Sequence, residues 1–330
     1  MRITTLDYHT AGEPLRIVTG GLPPIPGETM LEKRRYMQEN LDDFRKFLML
    51  EPRGHADMYG AVLTPPVTPD GDVGVLFMHN EGYSTMCGHG IIAMVTAGLE
   101  HGLFEIKEQQ AIQIDSPAGR ISARAQRDSS GRIESVSFLN VPSFVLEEKC
   151  AVSVDGRKVD LIIAFGGAFY AYVDARAFGF DLLPSEAGQL IEFGQKIKNE
   201  VNQSYAIRHP EADGELNFLY GTIFVRPGNR PGHSRNVCIF AGGELDRSPT
   251  GTGISGRCAI HFARGEIGLG QELHIESIIG TSFTVRCTRE TMVGDLHAVI
   301  PEVTGSAHIS GEHCFILDSH DPLQEGFFIR

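Results

Sequence analysis

Two stretches of this chain repeat one another, and the repeat limits the fold more than any other feature. Tyr59-Gly60-Ala61-Val62-Leu63 matches Tyr220-Gly221-Thr222-Ile223-Phe224, and Cys87-Gly88-His89-Gly90-Ile91 matches Thr250-Gly251-Thr252-Gly253-Ile254. Both pairs are displaced by about 160 residues and come in the same order, which points to duplication of one structural unit. In each copy a β-rich run (59–63; 220–225) leads to a second (73–78; 237–241), then to a turn-rich stretch and the small-residue motif. Apolar patterning predicts helices over 91–100 and 254–264, each stopping before a glycine, Gly102 or Gly265.

Elsewhere the alternation is strand-like at 111–115, 119–125, 135–139, 161–165 and 282–287, with helical patterning at 29–50 and 185–201. Gly- and Pro-rich stretches at 20–27, 64–72 and 226–234 read as loops. The fold class is therefore α/β, with α+β mixed sheets wrapped around one central helix in each of two pseudo-symmetric lobes. A chain of 330 residues with 42% hydrophobic content has the length and apolar material for two cores. The expected division is 1–125 and 126–311, with 312–330 returning to the first lobe.

The formal charge of −13 argues against nucleic acid as a partner. The only dense basic cluster, Lys33, Arg34 and Arg35 with Arg45 and Lys46 further on, lies among Glu32, Glu39, Asp42 and Asp43 and reads as a solvated helix face. The apolar run 161–173 is shorter than the roughly 18–20 residues that cross a bilayer. The N-terminal residues lack a signal-peptide core, so no membrane partner and a cytoplasmic location are expected. The six cysteines form no C-x-x-C pair and are expected to be mostly buried, reduced thiols.

Chemistry concentrates at the two small-residue motifs. A helix N-terminus carries unpaired N–H groups and partial positive charge, and so favours anions. Gly88, Gly90, Gly251 and Gly253 let a ligand approach the backbone. Taken singly, either motif could be an ordinary glycine-rich helix entry; the duplication favours two termini that share one small carboxylate. Cys87 is placed where a helix N-terminus lowers a thiol pKa from about 8.5 toward neutrality. His89 adds a hydrogen-bonding group beside it. Such a thiolate can remove a proton from carbon next to a bound carboxylate. An inert buried thiol is the alternative. Asp246, four residues before Thr250, suits the amine of a zwitterion, or else belongs to a salt-bridged turn.

Two other readings fall short. Residues 251–256 fit G-x-G-x-x-G, but residues 244–250 separate them from the preceding strand and too little chain follows for a dinucleotide fold. Cys87 and His89 lack a second ligand cluster at zinc spacing, so no metal is expected.

Met86-Cys87-Gly88-His89-Gly90 and Asp246-Arg247-Ser248-Pro249-Thr250-Gly251-Thr252-Gly253 resemble the two signature motifs of the proline racemase family. Asp7-Tyr8-His9-Thr10-Ala11-Gly12-Glu13-Pro14 resembles its N-terminal signature, and Asp321-Pro322-Leu323 with Gly326-Phe327 fits its tail. The resemblance implies the diaminopimelate epimerase-like fold, with the active site in the cleft between two lobes, and no cofactor. It also implies that Gly88, His89, Gly251 and Thr252 hold a substrate carboxylate while Asp246 meets the ring nitrogen. His9, Glu13, Tyr59 and His209 are further candidates that spacing does not place. A homodimer is compatible with the chain.

The sequence departs from the racemases at one position. They carry a cysteine in each motif, one per face of the α-carbon, whereas here Cys87 is matched by Thr250. A threonine hydroxyl is a poor acid or base near neutral pH, and the Cys/Thr pair resembles the family's trans-3-hydroxy-L-proline dehydratases. The resemblance implies dehydration of that imino acid to Δ1-pyrroline-2-carboxylate, with Cys87 as the base and Thr250 filling space or bonding to the ring. The alternatives are a 4-hydroxyproline 2-epimerase, a proline racemase, or a non-catalytic imino-acid binding protein.

Overall fold

The computed structural model describes residues 2–106, 111–211, 214–228 and 232–329. The chain forms two compact units, Met1–Phe138 with Ser306–Arg330, and Leu139–Gly305.

The first unit opens with a hairpin of β1 (Arg2–Thr10) and β2 (Glu13–Gly20), turning at Ala11 and Gly12, both at positive φ. That geometry matches the twist of a two-residue hairpin turn. Helices α1 (Met30–Asn40) and α2 (Asp42–Met49) carry the chain over to β3 (Tyr59–Thr64), which runs parallel to β2. Next, β4 (Val73–His79) folds back on β3, and β5 (Tyr83–Ser84) pairs briefly with β4. Helix α3 (Gly88–His101) then crosses to β6 (Ile112–Ser116), parallel to β4, and β7 (Gly119–Arg127) returns antiparallel. Parallel neighbours require such helical crossovers. Helix α3 is buried from Gly88 to Gly98, apolar on nearly every side, and stops at Gly102 in the left-handed conformation. A helix with no polar face belongs inside a core, and α3 packs against β1 and β2. After β8 (Ile133–Leu139) the chain enters the second unit.

There, β9 (Ser143–Val154), β10 (Arg157–Phe165) and β11 (Phe169–Asp174) form an antiparallel meander. Helix α4 (Ala187–Ser204) leads to β12 (Leu219–Pro227), parallel to β11. Then come β13 (His233–Phe240), the short β14 (Glu244–Leu245), helix α5 (Gly251–Ala263) and β15 (Glu272–Glu276), the last parallel to β13. Strands β16 (Ser282–Val293) and β17 (Leu296–Gly305) follow, and β17 pairs with β9. The result is a closed ring of eight strands with α5, buried from Gly251 to Ile260, packed against β9, β10, β16 and β17. The final strand, β18 (Ala307–Ile316), returns to the first unit and pairs with β1.

The run β1–β7 with α3 and the run β10–β16 with α5 have the same pairing order. Each goes antiparallel, parallel, antiparallel, a two-residue strand, parallel, antiparallel. The repeat read from two short motifs thus extends through seven strands and a helix.

Three expectations are corrected. The helical pattern at 29–50 is two helices, because Leu41 leaves helical geometry (φ −132°) and Asp42 and Asp43 start a new first turn, where acids suit the dipole. The basic cluster is a solvated face only in part: Arg35 is exposed, but Lys33 and Arg45 are buried. Lys33 Nζ donates to the Pro65 carbonyl at 2.6 Å, and Arg45 donates to the carbonyls of His79 and Asn80, so both satisfy carbonyls around the ends of β3 and β4. Among the cysteines, Cys258 of α5 and Cys287 of β16 form a disulfide, both fully buried; helix-on-strand packing joins them, with no motif spacing to announce it. Cys87, Cys150, Cys238 and Cys314 are free thiols.

Candidate active site

In the first unit Cys87 is the N-cap of α3. Its Sγ accepts a hydrogen bond from Gly90 N at 3.2 Å and lies 3.3 Å from His89 Nδ1. Both side chains are buried. The sulfur thus sits at a helix N-terminus with an amide hydrogen and an imidazole against it. The Tyr59 ring meets His89 edge-on at 4.9 Å, and Tyr59 is itself bonded to Ser84. Thr10 Oγ1, in the N-terminal motif, donates to the His89 carbonyl at 2.9 Å, so β1 fixes the first turn of α3.

Gly90 is required by space. A Cβ there would lie 2.4 Å from the Phe77 ring and 2.9 Å from Cys87 Sγ. Gly90→Ala is expected to cost about 1–3 kcal/mol of stability through overpacking, read as a lower urea midpoint, and to displace the thiol.

In the second unit Thr250 takes the matching place before α5, but its bonding differs. Its side chain does not cap the helix. Instead Thr250 Oγ1 donates to Asp246 Oδ2 at 2.8 Å, while Ser248 N donates to Asp246 Oδ1 at 2.7 Å and Thr250 N donates to Ser248 Oγ at 3.1 Å. All three residues are buried. This network holds Thr250 at φ 66°, a left-handed conformation that costs a β-branched residue of order 1–3 kcal/mol. Thr252 Oγ1 is 2.7 Å from the hydroxyl of Tyr170, and the Tyr172 hydroxyl donates to the Gly253 carbonyl at 2.8 Å. Burial holds both phenols well above the usual tyrosine pKa, so they remain hydrogen-bond donors. A Cβ on Gly253 would lie 2.4 Å from Ile223, the counterpart of the Gly90 constraint.

The structure therefore gathers Cys87, Gly88, His89 and Gly90 at one helix start, and Asp246, Thr250, Gly251 and Thr252 at another. Thr10 and Ser248, which lie within motifs but have no role expected from sequence, support these starts, as do Tyr170 and Tyr172, which carry no local sequence signal. His209 instead meets Phe144, Phe165 and Phe169 edge-on, away from α5's first turn in its contacts. Among the described residues, no group of three or more His, Cys, Asp or Glu side chains converges as a metal site. Among those residues, no helix is long and apolar enough to cross a membrane.

The family model "Proline racemase" matches residues 5–328, and the chain belongs to that family. It is 47% identical, over 99% of its length and 98% of the other's, to a Burkholderia ambifaria protein named trans-3-hydroxy-L-proline dehydratase. It is 46% identical, over 99% and 98%, to a Burkholderia multivorans protein named 3-hydroxyproline 2-epimerase. Among solved structures it is similar to a hydroxyproline epimerase of Agrobacterium vitis with bound trans-4-hydroxy-L-proline. The TM-score is 0.93 at 33% identity, covering 99% of this chain and 95% of that one.

Proposed function

We propose that this chain is a cytoplasmic, cofactor-independent hydro-lyase that converts trans-3-hydroxy-L-proline to Δ1-pyrroline-2-carboxylate. The observation that carries the reading is the unequal chemistry of the two duplicated motifs. Cys87 lies against His89 and a helix N-terminus, whereas the Thr250 hydroxyl is committed to Asp246. The names of the relatives near 47% identity support the same substrate.

In this reading both helix starts address one substrate. The amides of Gly88, His89, Gly251 and Thr252, with the His89 and Thr252 side chains, hold the carboxylate and the negative charge that spreads onto it as the α-proton leaves. Asp246 faces the ring nitrogen, and Thr250, its own hydrogen already donated to Asp246, presents lone pairs to the same N–H. In trans-3-hydroxy-L-proline the hydroxyl and the α-hydrogen share one ring face. Cys87 takes the α-proton; the C–H electrons form the ring double bond, the C3–O bond breaks, and the thiol returns the proton to the departing oxygen as water. The enamine then tautomerises to the cyclic imine. One sulfur on one face completes the cycle.

The test is incubation with trans-3-hydroxy-L-proline, trans-4-hydroxy-L-proline and L-proline, with separate assays for cyclic imine and for inversion at Cα. Imine is expected from the 3-hydroxy substrate alone, and inversion of the others without imine would overturn the reading. A second reading, 3-hydroxyproline 2-epimerase, is favoured by the name of the Burkholderia multivorans relative. It predicts deuterium entry at Cα of recovered 3-hydroxyproline without loss of water.

Tyr170 has a positioning role here. Its hydroxyl lies 2.7 Å from Thr252 Oγ1, and in this reading it is the donor, which leaves the Thr252 hydrogen for the carboxylate. Tyr170→Phe is expected to raise KM about five- to tenfold, with a smaller effect on kcat, as loss of one ground-state hydrogen bond requires. Steady-state kinetics read the split.

A further inference from the structure

The eight-stranded ring of the second unit encloses a cation with no counter-ion in contact among the described residues. Arg257, on α5, is 5% exposed. Its Nη1 donates to Ser234 Oγ at 2.6 Å and Asn236 Oδ1 at 3.0 Å, and its Nη2 to His261 Nε2 at 2.9 Å. Because a guanidinium only donates, His261 accepts at Nε2 and turns its Nδ1–H to Glu266. Of the five N–H donors an arginine carries, Nε–H and one on Nη2 have no protein partner among the described residues. No carboxylate among those residues pairs with it directly. Burial without such a partner lowers its pKa to about 10.

Buried charges are normally paired, so an unpaired one calls for a reason. The architecture supplies none. When Cys87 is aligned with Thr250, the position of Arg257 falls on Met94, which is fully buried in the first unit. Aligning the ladder pairs Phe77–Ser84 and Ile239–Leu245 likewise sets Gly74 at the place of Asn236. The same framework is thus built without the cation or its partner. What Arg257 does have is a cavity of about 190 Å³, which it lines together with Ile162, Val173, Val225 and Ile260. His261 and Arg264 also border the cavity, and Asp174, the acid at its edge, is committed to Arg176.

We propose that this cavity is a second binding site, for a small carboxylate with a compact apolar body, held by the two unclaimed N–H donors of Arg257. A carboxylate matches a guanidinium edge with two parallel hydrogen bonds. The aliphatic walls receive hydrocarbon, which distinguishes the ligand from a bare inorganic anion. The site lies wholly within the second unit and involves the C-terminal half of α5, not its first turn.

The experiment is a fluorine NMR titration of the full chain with 4-fluorobenzoate, with inorganic phosphate titrated in parallel. Saturable binding of fluorobenzoate but not phosphate is expected. Arg257→Met, which installs the residue of the matching position, weakens it about tenfold or more. Ile162→Trp, which fills the cavity and keeps the guanidinium, weakens it as much and decides the matter should Arg257→Met not fold. Thr252→Val, at the other end of α5, leaves it unchanged. Absence of saturation in the parent chain, phosphate binding as tightly as fluorobenzoate, or unchanged affinity in Ile162→Trp overturns the proposal. So does equal weakening by Thr252→Val, which would place the probe at the helix start.

Discussion

Cys87→Ser is expected to fold as the parent does and to lose dehydration of trans-3-hydroxy-L-proline by about a thousandfold or more. The fold survives because serine is a good N-cap, and its hydroxyl accepts from Gly90 N where the sulfur does now. Activity does not, because a serine hydroxyl near neutral pH holds its proton. It can neither take the α-hydrogen nor return it to the departing oxygen, and general acid–base catalysis contributes typically 10²–10⁴-fold for each role. Imine formation under saturating substrate reads the loss, and a melting curve reads the fold. An inhibitor resembling the planar deprotonated ring, pyrrole-2-carboxylate, should still bind, since in the proposed function its carboxylate is held by backbone amides that the substitution leaves untouched. Substantial dehydration by Cys87→Ser would remove Cys87 as the essential base.

Thr250→Cys is expected to convert part of the activity to inversion at Cα, from none measurable to a readily detected rate, while dehydration falls. The substitution puts a second sulfur where the racemases of the family have theirs. It also removes a β-branch from a residue at φ 66°, so the backbone accepts it without added strain. The gain should be modest. Asp246 Oδ2 lies 2.8 Å from the present hydroxyl, and a carboxylate so close disfavours a thiolate. Deuterium entry at Cα of L-proline or trans-4-hydroxy-L-proline measures the new activity. No deuterium in a folded, substrate-binding variant would mean that this position alone does not set the reaction.

The parts of the molecule that were legible in sequence are those in which local pattern and tertiary role agree. Both central helices are buried along most of their length and stop just before a glycine, and both begin in small residues that nothing else would require. The observed helices Gly88–His101 and Gly251–Ala263 start three residues earlier than periodicity suggests, because their first turns are glycine-rich and carry no apolar signal. Strands β1 and β2 were readable only as a motif, since their polar threonines and acids conceal the alternation; Asp7 and Arg16 are tolerated there as a buried pair at 2.8 Å. The burial of Lys33 and Arg45 depends on carbonyls brought near from distant strands. The same holds for the site. Cys87 and Thr250 announce themselves, but Tyr170 reaches Thr252 from 82 residues away and Thr10 reaches His89 from 79, separations that no local pattern encodes.

Pairing of β18 with β1 brings Ala307–Ile316 against Arg2–Thr10, across almost the whole length of the polypeptide. During synthesis on the ribosome, β1 can therefore pair with β2 at once but gains β18 only after residues 139–305 have been made. The ring from β9 to β17 has all its strands in one uninterrupted segment and can close first. The unit that contains Cys87 thus depends on a strand encoded after the whole of the ring, and loss of β18 would strike that unit and leave the ring's own strands intact.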